Sequence, residues 1–96
     1  MSASGREVVV HPDADLLATA TAARLALAII DAQSVREHVH IVLTGGRVGT
    51  AVVEAFGASP LVGAVDPSAL HVWWGDERFL PTGDVERNDT AALIAL

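Results

Sequence analysis

Two short runs carry residue types that can do chemistry. Gly75-Asp76-Glu77-Arg78 sets two carboxylates and a guanidinium directly after a glycine. Thr44-Gly45-Gly46-Arg47 sets a hydroxyl, two glycines and a cation side by side. An aspartate at a turn can orient or deprotonate a reacting group, and an arginine can grip a phosphate through its planar fork. Glycines let the backbone approach a ligand closely, and the free amides that open a following helix favour an anion. Each run also has a plainer reading. The first can be a solvated turn in which Asp76 caps a neighbour and Glu77 pairs with Arg78. The second can be a tight turn that merely lets a helix pack on a sheet. The glycine run has neither the G-x-G-x-x-G spacing of a dinucleotide site nor the lysine of a Walker A loop.

The histidines are weaker candidates. His38-x-His40 puts two imidazoles on one face of a strand, but no third ligand stands in an evident position, so no metal site is assigned. His11 and His71 read as structural, and no serine–histidine–acid arrangement is visible.

The elements that must position these runs follow from periodicity. Val8-Val9-Val10 reads as a short strand ended by His11-Pro12, and Asp13 can cap the next helix. From about Leu16 to Gln33 the chain is alanine-rich, with Leu16, Ala20, Ala23, Leu27 and Ile30 at helical spacing. Val39, Ile41, Val42 and Leu43 make a second strand, which Gly45-Gly46 ends. Residues 50–56 suggest a second helix, 70–74 a third strand, and 88–96 a third helix opened by Asn88 or Asp89. Trp73 and Trp74 point to opposite faces of the third strand, each able to pack under a helix. Alternating apolar strands and helices imply an α/β fold, a Rossmann-like open parallel sheet with helices on both faces, in about three β-α units. In such sheets ligands bind outside the carboxyl ends of the strands. If the second and third strands are neighbours, both reactive runs lie on one edge.

Bulk properties bound the function. Ninety-six residues make one small domain, with residues 1–6 as a flexible leader and 7–96 as the folded part. Hydrophobic residues are 51% of the chain and charged residues 19%, a globular composition. The net charge is −6 and every cation is arginine, which argues against a nucleic-acid surface. No cysteine is present, so disulfide and thiolate chemistry are excluded. The longest apolar stretch, Leu25 to Ile30, is too short to span a bilayer. The first ten residues lack the apolar core of a secretory signal, and a cytoplasmic protein is expected. The chain stops within an apolar helical pattern, and three strands are few for an open sheet, so it reads as the N-terminal part of a longer enzyme.

"VWWGDERFLPTGDVERND" (72–89) resembles the signature of the 6-phosphogluconolactonase family, within the glucosamine/galactosamine-6-phosphate isomerase-like superfamily. "LTGGRVGTAV" (43–52) is similar to that family's first glycine loop, although many members carry Gly-Gly-Ser-Thr-Pro where this chain has Gly45-Gly46-Arg47-Val48-Gly49. The order and spacing of the blocks agree, and the resemblance runs from Val8 onward. It implies hydrolysis of 6-phospho-D-glucono-1,5-lactone to 6-phosphogluconate in the oxidative pentose phosphate pathway, with no metal or organic cofactor. It implies further that Thr44, Gly45 and Gly46 lie near the substrate, that Arg78 binds its phosphate, and that Asp76 lines the site beside the lactone. Asn88 would anchor the loop to the helix. The family's proposed base is a histidine in a later Gly-x-[Asp/Glu]-Gly-His segment, which is absent from these 96 residues. A glucosamine-6-phosphate deaminase-like isomerase is the first alternative. Those proteins tend to carry Asp-Glu-Tyr where this chain has Asp76-Glu77-Arg78. A non-catalytic module that binds sugar phosphates or a partner chain is the second, and a dinucleotide-binding half-domain the third.

Overall fold

A computed structural model of the chain describes residues 6–77 and 79–95. The first long element is α1 (Ala14–Gln33). Its start is set by Asp13, whose carboxylate accepts the Leu16 N–H at 2.7 Å, satisfying an amide with no partner inside the helix. The face that α1 buries is Ala18, Ala22, Ala26 and Ile29. This differs from the expected stripe, since Leu16 and Leu27 are about half exposed. In so alanine-rich a helix apolar residues occur all round, so the pattern does not single out a face. The neighbour does: α1 packs on α2 (Gly46–Ala58), and alanines let the two backbones come close. Ile29 is the largest fully enclosed side chain, and its burial contributes about 2 kcal/mol.

Strands β1 (Val39–Leu43) and β2 (Leu70–Trp74) pair in parallel, with α2 as the crossover between them. Both strands have the expected bounds. Their register sets Val39 against Leu70 and Leu43 against Trp74, so the two strands end level. Because side chains alternate, Val39, Ile41 and Leu43 share the more buried face. The opposite face shows His40, Val42, His71 and Trp73 to solvent. Trp73 is 58% exposed and so is not the core residue expected of it; its indole N–H donates to His40 Nδ1 at 3.1 Å.

The expected strand at Val8–Val10 does not form. Val8 is 76% exposed and Val10 86%, and the sheet among the described residues has two strands, so the count of three is corrected. β-branched side chains favour extended backbone, but a strand draws its stability from a ladder partner and a packed face, and this run has neither. The second helix also starts earlier than position 50: the glycine run is its first turn. Between α2 and β2, two short 3₁₀ turns (Val62–Ala64 and Pro67–Ala69) lead the chain back. There the Gln33 side chain grips the Asp66 backbone at both groups, donating to its carbonyl and accepting from its N–H, each at 2.9 Å. Helix α3 (Asn88–Ala95) packs on α2 and closes the described chain. No described helix is long and apolar enough to cross a membrane.

Candidate active site

The level ends of β1 and β2 bring the two reactive runs together. The Gly75 N–H donates to the Leu43 carbonyl at 2.9 Å, extending the ladder one step into both turns. Thr44, Gly45 and Gly46 therefore stand beside Gly75 and Asp76, the juxtaposition expected if the strands were neighbours. A Cβ on Gly75 would sit 3.5 Å from the Thr44 methyl, ordinary contact distance. Arg78 lies outside the described residues.

The two glycines of the first turn serve different ends. Gly46 has φ 86°, in the left-handed region that glycine enters without steric penalty, and this lets α2 begin directly after β1. Gly45 has φ −83° and ψ −155°, which any residue can adopt. What Gly45 requires is space, because a Cβ there would overlap the carboxamide of Asn88. As N-cap of α2, Gly45 makes no side-chain bond to the helix amides. A groove of about 610 Å³ runs along this turn, lined in part by Leu43, Thr44, Gly45, Gly46 and Arg47, with Leu25 of α1 opposite. A second groove of about 590 Å³ lies on the other side of Arg47, bounded by Thr50, Glu54, Glu86 and Asn88. Arg47 is exposed and borders both, and Asp76 is exposed and lines neither.

The acidic turn is built differently. Arg78, the partner that the plainer reading gives to Glu77, lies outside the described residues, but Glu77 acts beyond its own turn. Its carboxylate reaches forward to the start of α3, where Oε1 accepts the Asn88 N–H at 2.6 Å and Oε2 the Asp89 N–H at 3.0 Å. A negative group at a helix N-terminus satisfies orphan amides and complements the helix dipole. The expected local cap at Asn88 or Asp89 is thus replaced by an acid from the turn after β2. Asp89 adds a bond of its own, accepting the Thr90 N–H at 2.7 Å. Asn88, 8% exposed, donates from Nδ2 to the Asp76 carbonyl at 3.2 Å.

Arg87 holds the loop together. Its Nε and Nη2 donate to the two Asp89 oxygens at 2.9 and 3.0 Å, a bidentate pair, and Nη1 donates to the Leu80 carbonyl at 3.1 Å. Glu77 stands 3.9 Å from the same guanidinium. The hydrogen bonds from Arg87 hold the Asp89 carboxyl down at about 2, and those bonds in turn raise the Arg87 guanidinium above its ordinary value. Glu77, Arg87 and Asn88 are therefore the residues that organise this end of the sheet. Only Asn88 among them carries a sequence cue, its place at the head of a helix.

His38, His40 and His71 do meet, on the exposed face of the sheet. His71 Nε2 lies 3.1 Å from His38 Nδ1, and the His40 and His71 rings stack with centroids 4.6 Å apart. Among the described residues no group of three or more histidine and acidic side chains is arranged to hold a metal ion.

A parallel βαβ unit with a glycine turn and an acid-bearing turn level at its carboxyl end defines an α/β protein whose ligand edge is the carboxyl end of its strands. Residues 12–96 match the model of the family described as glucosamine-6-phosphate isomerases/6-phosphogluconolactonase, and the chain belongs to that family. Among curated relatives it is similar to the 6-phosphogluconolactonase of Streptomyces coelicolor, with 53% identity over 90 residues, 94% of this chain and 34% of that protein. The 6-phosphogluconolactonase of Mycobacterium leprae is 38% identical over 96 residues, 100% of this chain and 37% of that protein. That of Mycobacterium tuberculosis is 39% identical over 89 residues, 93% of this chain and 35% of that protein. The chain thus spans about a third of the length of the curated relatives it matches.

Proposed function

We propose that the protein hydrolyses 6-phospho-D-glucono-1,5-lactone to 6-phosphogluconate, in the cytoplasm, without a metal or organic cofactor. The observation that carries this reading is the level pairing of Thr44-Gly45-Gly46 with Gly75-Asp76, in a chain 53% identical to a relative named for this activity. In the reaction a water oxygen adds to the lactone carbonyl. The ring C–O bond then breaks, the ring oxygen leaves with a proton, and a carboxylate remains. The bare backbone of the glycine turn approaches the substrate, the amides opening α2 favour its anionic end, and Arg78 pairs with the phosphate. Asp76 lies beside the lactone and orients the water. Fixing the two reactants in this way supplies one of the large rate terms. A base contributes about 10²–10⁴-fold more. On this reading it belongs to the part of the relatives' length that these 96 residues do not span, and the 96 residues alone leave the lactone at its spontaneous rate.

The test is lactone opening by the protein as its gene encodes it, followed as acid release against the spontaneous reaction. Glucosamine 6-phosphate is supplied in parallel. Faster lactone opening without ammonia release is expected. Ammonia release without lactone opening would replace this reading with the isomerase one, which Arg78 in place of the deaminases' tyrosine argues against.

A further inference from the structure

The overlap at Gly45 has a consequence for the spacing of the two turns. One side of the Asn88 carboxamide occupies the space where a Gly45 side chain would stand. Its Nδ2 donates to the Asp76 carbonyl, and its main-chain N–H is held by Glu77. Asn88 is therefore wedged between the glycine turn and the acidic turn, touching both. Beyond the bond from Gly75 to Leu43, no backbone–backbone hydrogen bond among the described residues joins the turns. Their separation past the ladder is left to side chains, and the buried Asn88 is the side chain found there.

We infer that Asn88 is a positioning residue for the hydrolysis: its carboxamide, seated in the space that Gly45 leaves open, sets the distance between Thr44-Gly45-Gly46 and Asp76. This rests on the lactonase reading, which gives the substrate contacts with both turns. Volume matters as much as the hydrogen bond. A methyl on Gly45 and the Asn88 carboxamide compete for one place, so Gly45→Ala must push the carboxamide away from the Asp76 carbonyl. The effects of changing the two residues are consequently coupled, as expected for groups in contact.

The experiment measures kcat, KM and melting temperature for wild type, Gly45→Ala, Asn88→Ala and the double variant, in the protein as its gene encodes it, with rates normalised to folded protein. Misplacement by about 1 Å can cost on the order of 100-fold, so each single change is expected to lower kcat by about tenfold or more while KM moves less. The double variant is expected to be faster than Gly45→Ala alone, because the methyl then enters the space that the carboxamide has vacated. Asn88→Asp keeps the volume but presents no donor to the Asp76 carbonyl, and is expected to lose kcat as well. Wild-type kcat in folded Asn88→Ala and Asn88→Asp, with only the melting temperature lowered, would show a merely structural role and overturn the inference. So would a double variant no faster than Gly45→Ala, which would mean that the glycine matters only for backbone approach to substrate. If Gly45→Ala does not fold, the two Asn88 variants decide alone. An inactive wild type would overturn the lactonase reading and this inference with it; an active wild type with fully active Asn88 variants overturns the inference alone.

Discussion

Helices α2 and α3 begin side by side at the carboxyl end of the sheet and treat their opening amides in opposite ways. At α3, two of them are taken by Glu77 and a third by Asp89. At α2, the cap is a glycine with no side chain to offer, and the first turn borders a groove. Both helices face the same need to satisfy amides with no partner in the helix. One is closed from within by carboxylates and cannot also receive an anion. The other stays open to whatever arrives from solvent, which on the proposed function is a sugar phosphate. The difference suggests a division of labour in which the closed helix start builds the frame and the open one meets the ligand.

The largest effect should come from opening the closed end. Glu77→Ala removes two charge-assisted hydrogen bonds from a side chain only 22% exposed, and is expected to cost about 2 kcal/mol in chemical denaturation. Asp13→Ala, which takes a single bond from the exposed start of α1, should cost about 1 kcal/mol by the same measurement. Equal losses would remove the special standing of α3. A smaller effect concerns acid. Arg87 holds Asp89 at about 2 in the folded chain, against an ordinary 3.8, so the unfolded chain takes up that proton first as pH falls. The stability from this pair is complete above about pH 4 and drains away toward pH 2. The advantage of wild type over Asp89→Asn should accordingly shrink across that window in thermal melts; an advantage independent of pH would show that the charge contributes nothing. The slightest effect is expected from inorganic phosphate. It should shift the amide resonances of Gly46, Arg47 and Val48 and leave Asn88 and Asp89 in place, whereas equal shifts at both helices would erase the contrast.

The legible parts of the chain were those set by neighbours in sequence. The runs 39–43 and 70–74 are β-branched or aromatic and are bounded by turn residues, so both strands could be bounded from the residues alone. Asp13 as a cap was equally visible, because its target amide is three residues on. What could not be read depended on distant partners. Val8–Val10 has the side chains of a strand but no ladder to join. The buried face of α1 is chosen by α2 rather than by any asymmetry of its own. The start of α2 is masked in the sequence because two glycines read as loop, whereas one supplies a left-handed residue and the other an empty space. Of the candidate site, the adjacency of the two turns is legible only on the condition that the two strands are neighbours, which their pairing meets. The hold of Glu77 on α3 spans 11 residues of polar loop, and no local pattern announces it. Asn88 and Asp89 offer a local cap at that helix start, and this local solution hides the distant one.

The outer face of the sheet has a practical consequence. Trp73 donates its indole N–H to His40, and His71 stacks on that same imidazole. Trp74 points to the other side of the strand, so replacing it with phenylalanine leaves a single emitter. The chain thereby carries its own optical reporter, seated on the exposed sheet face away from the buried Val39 and able to register whatever covers that face without an added label.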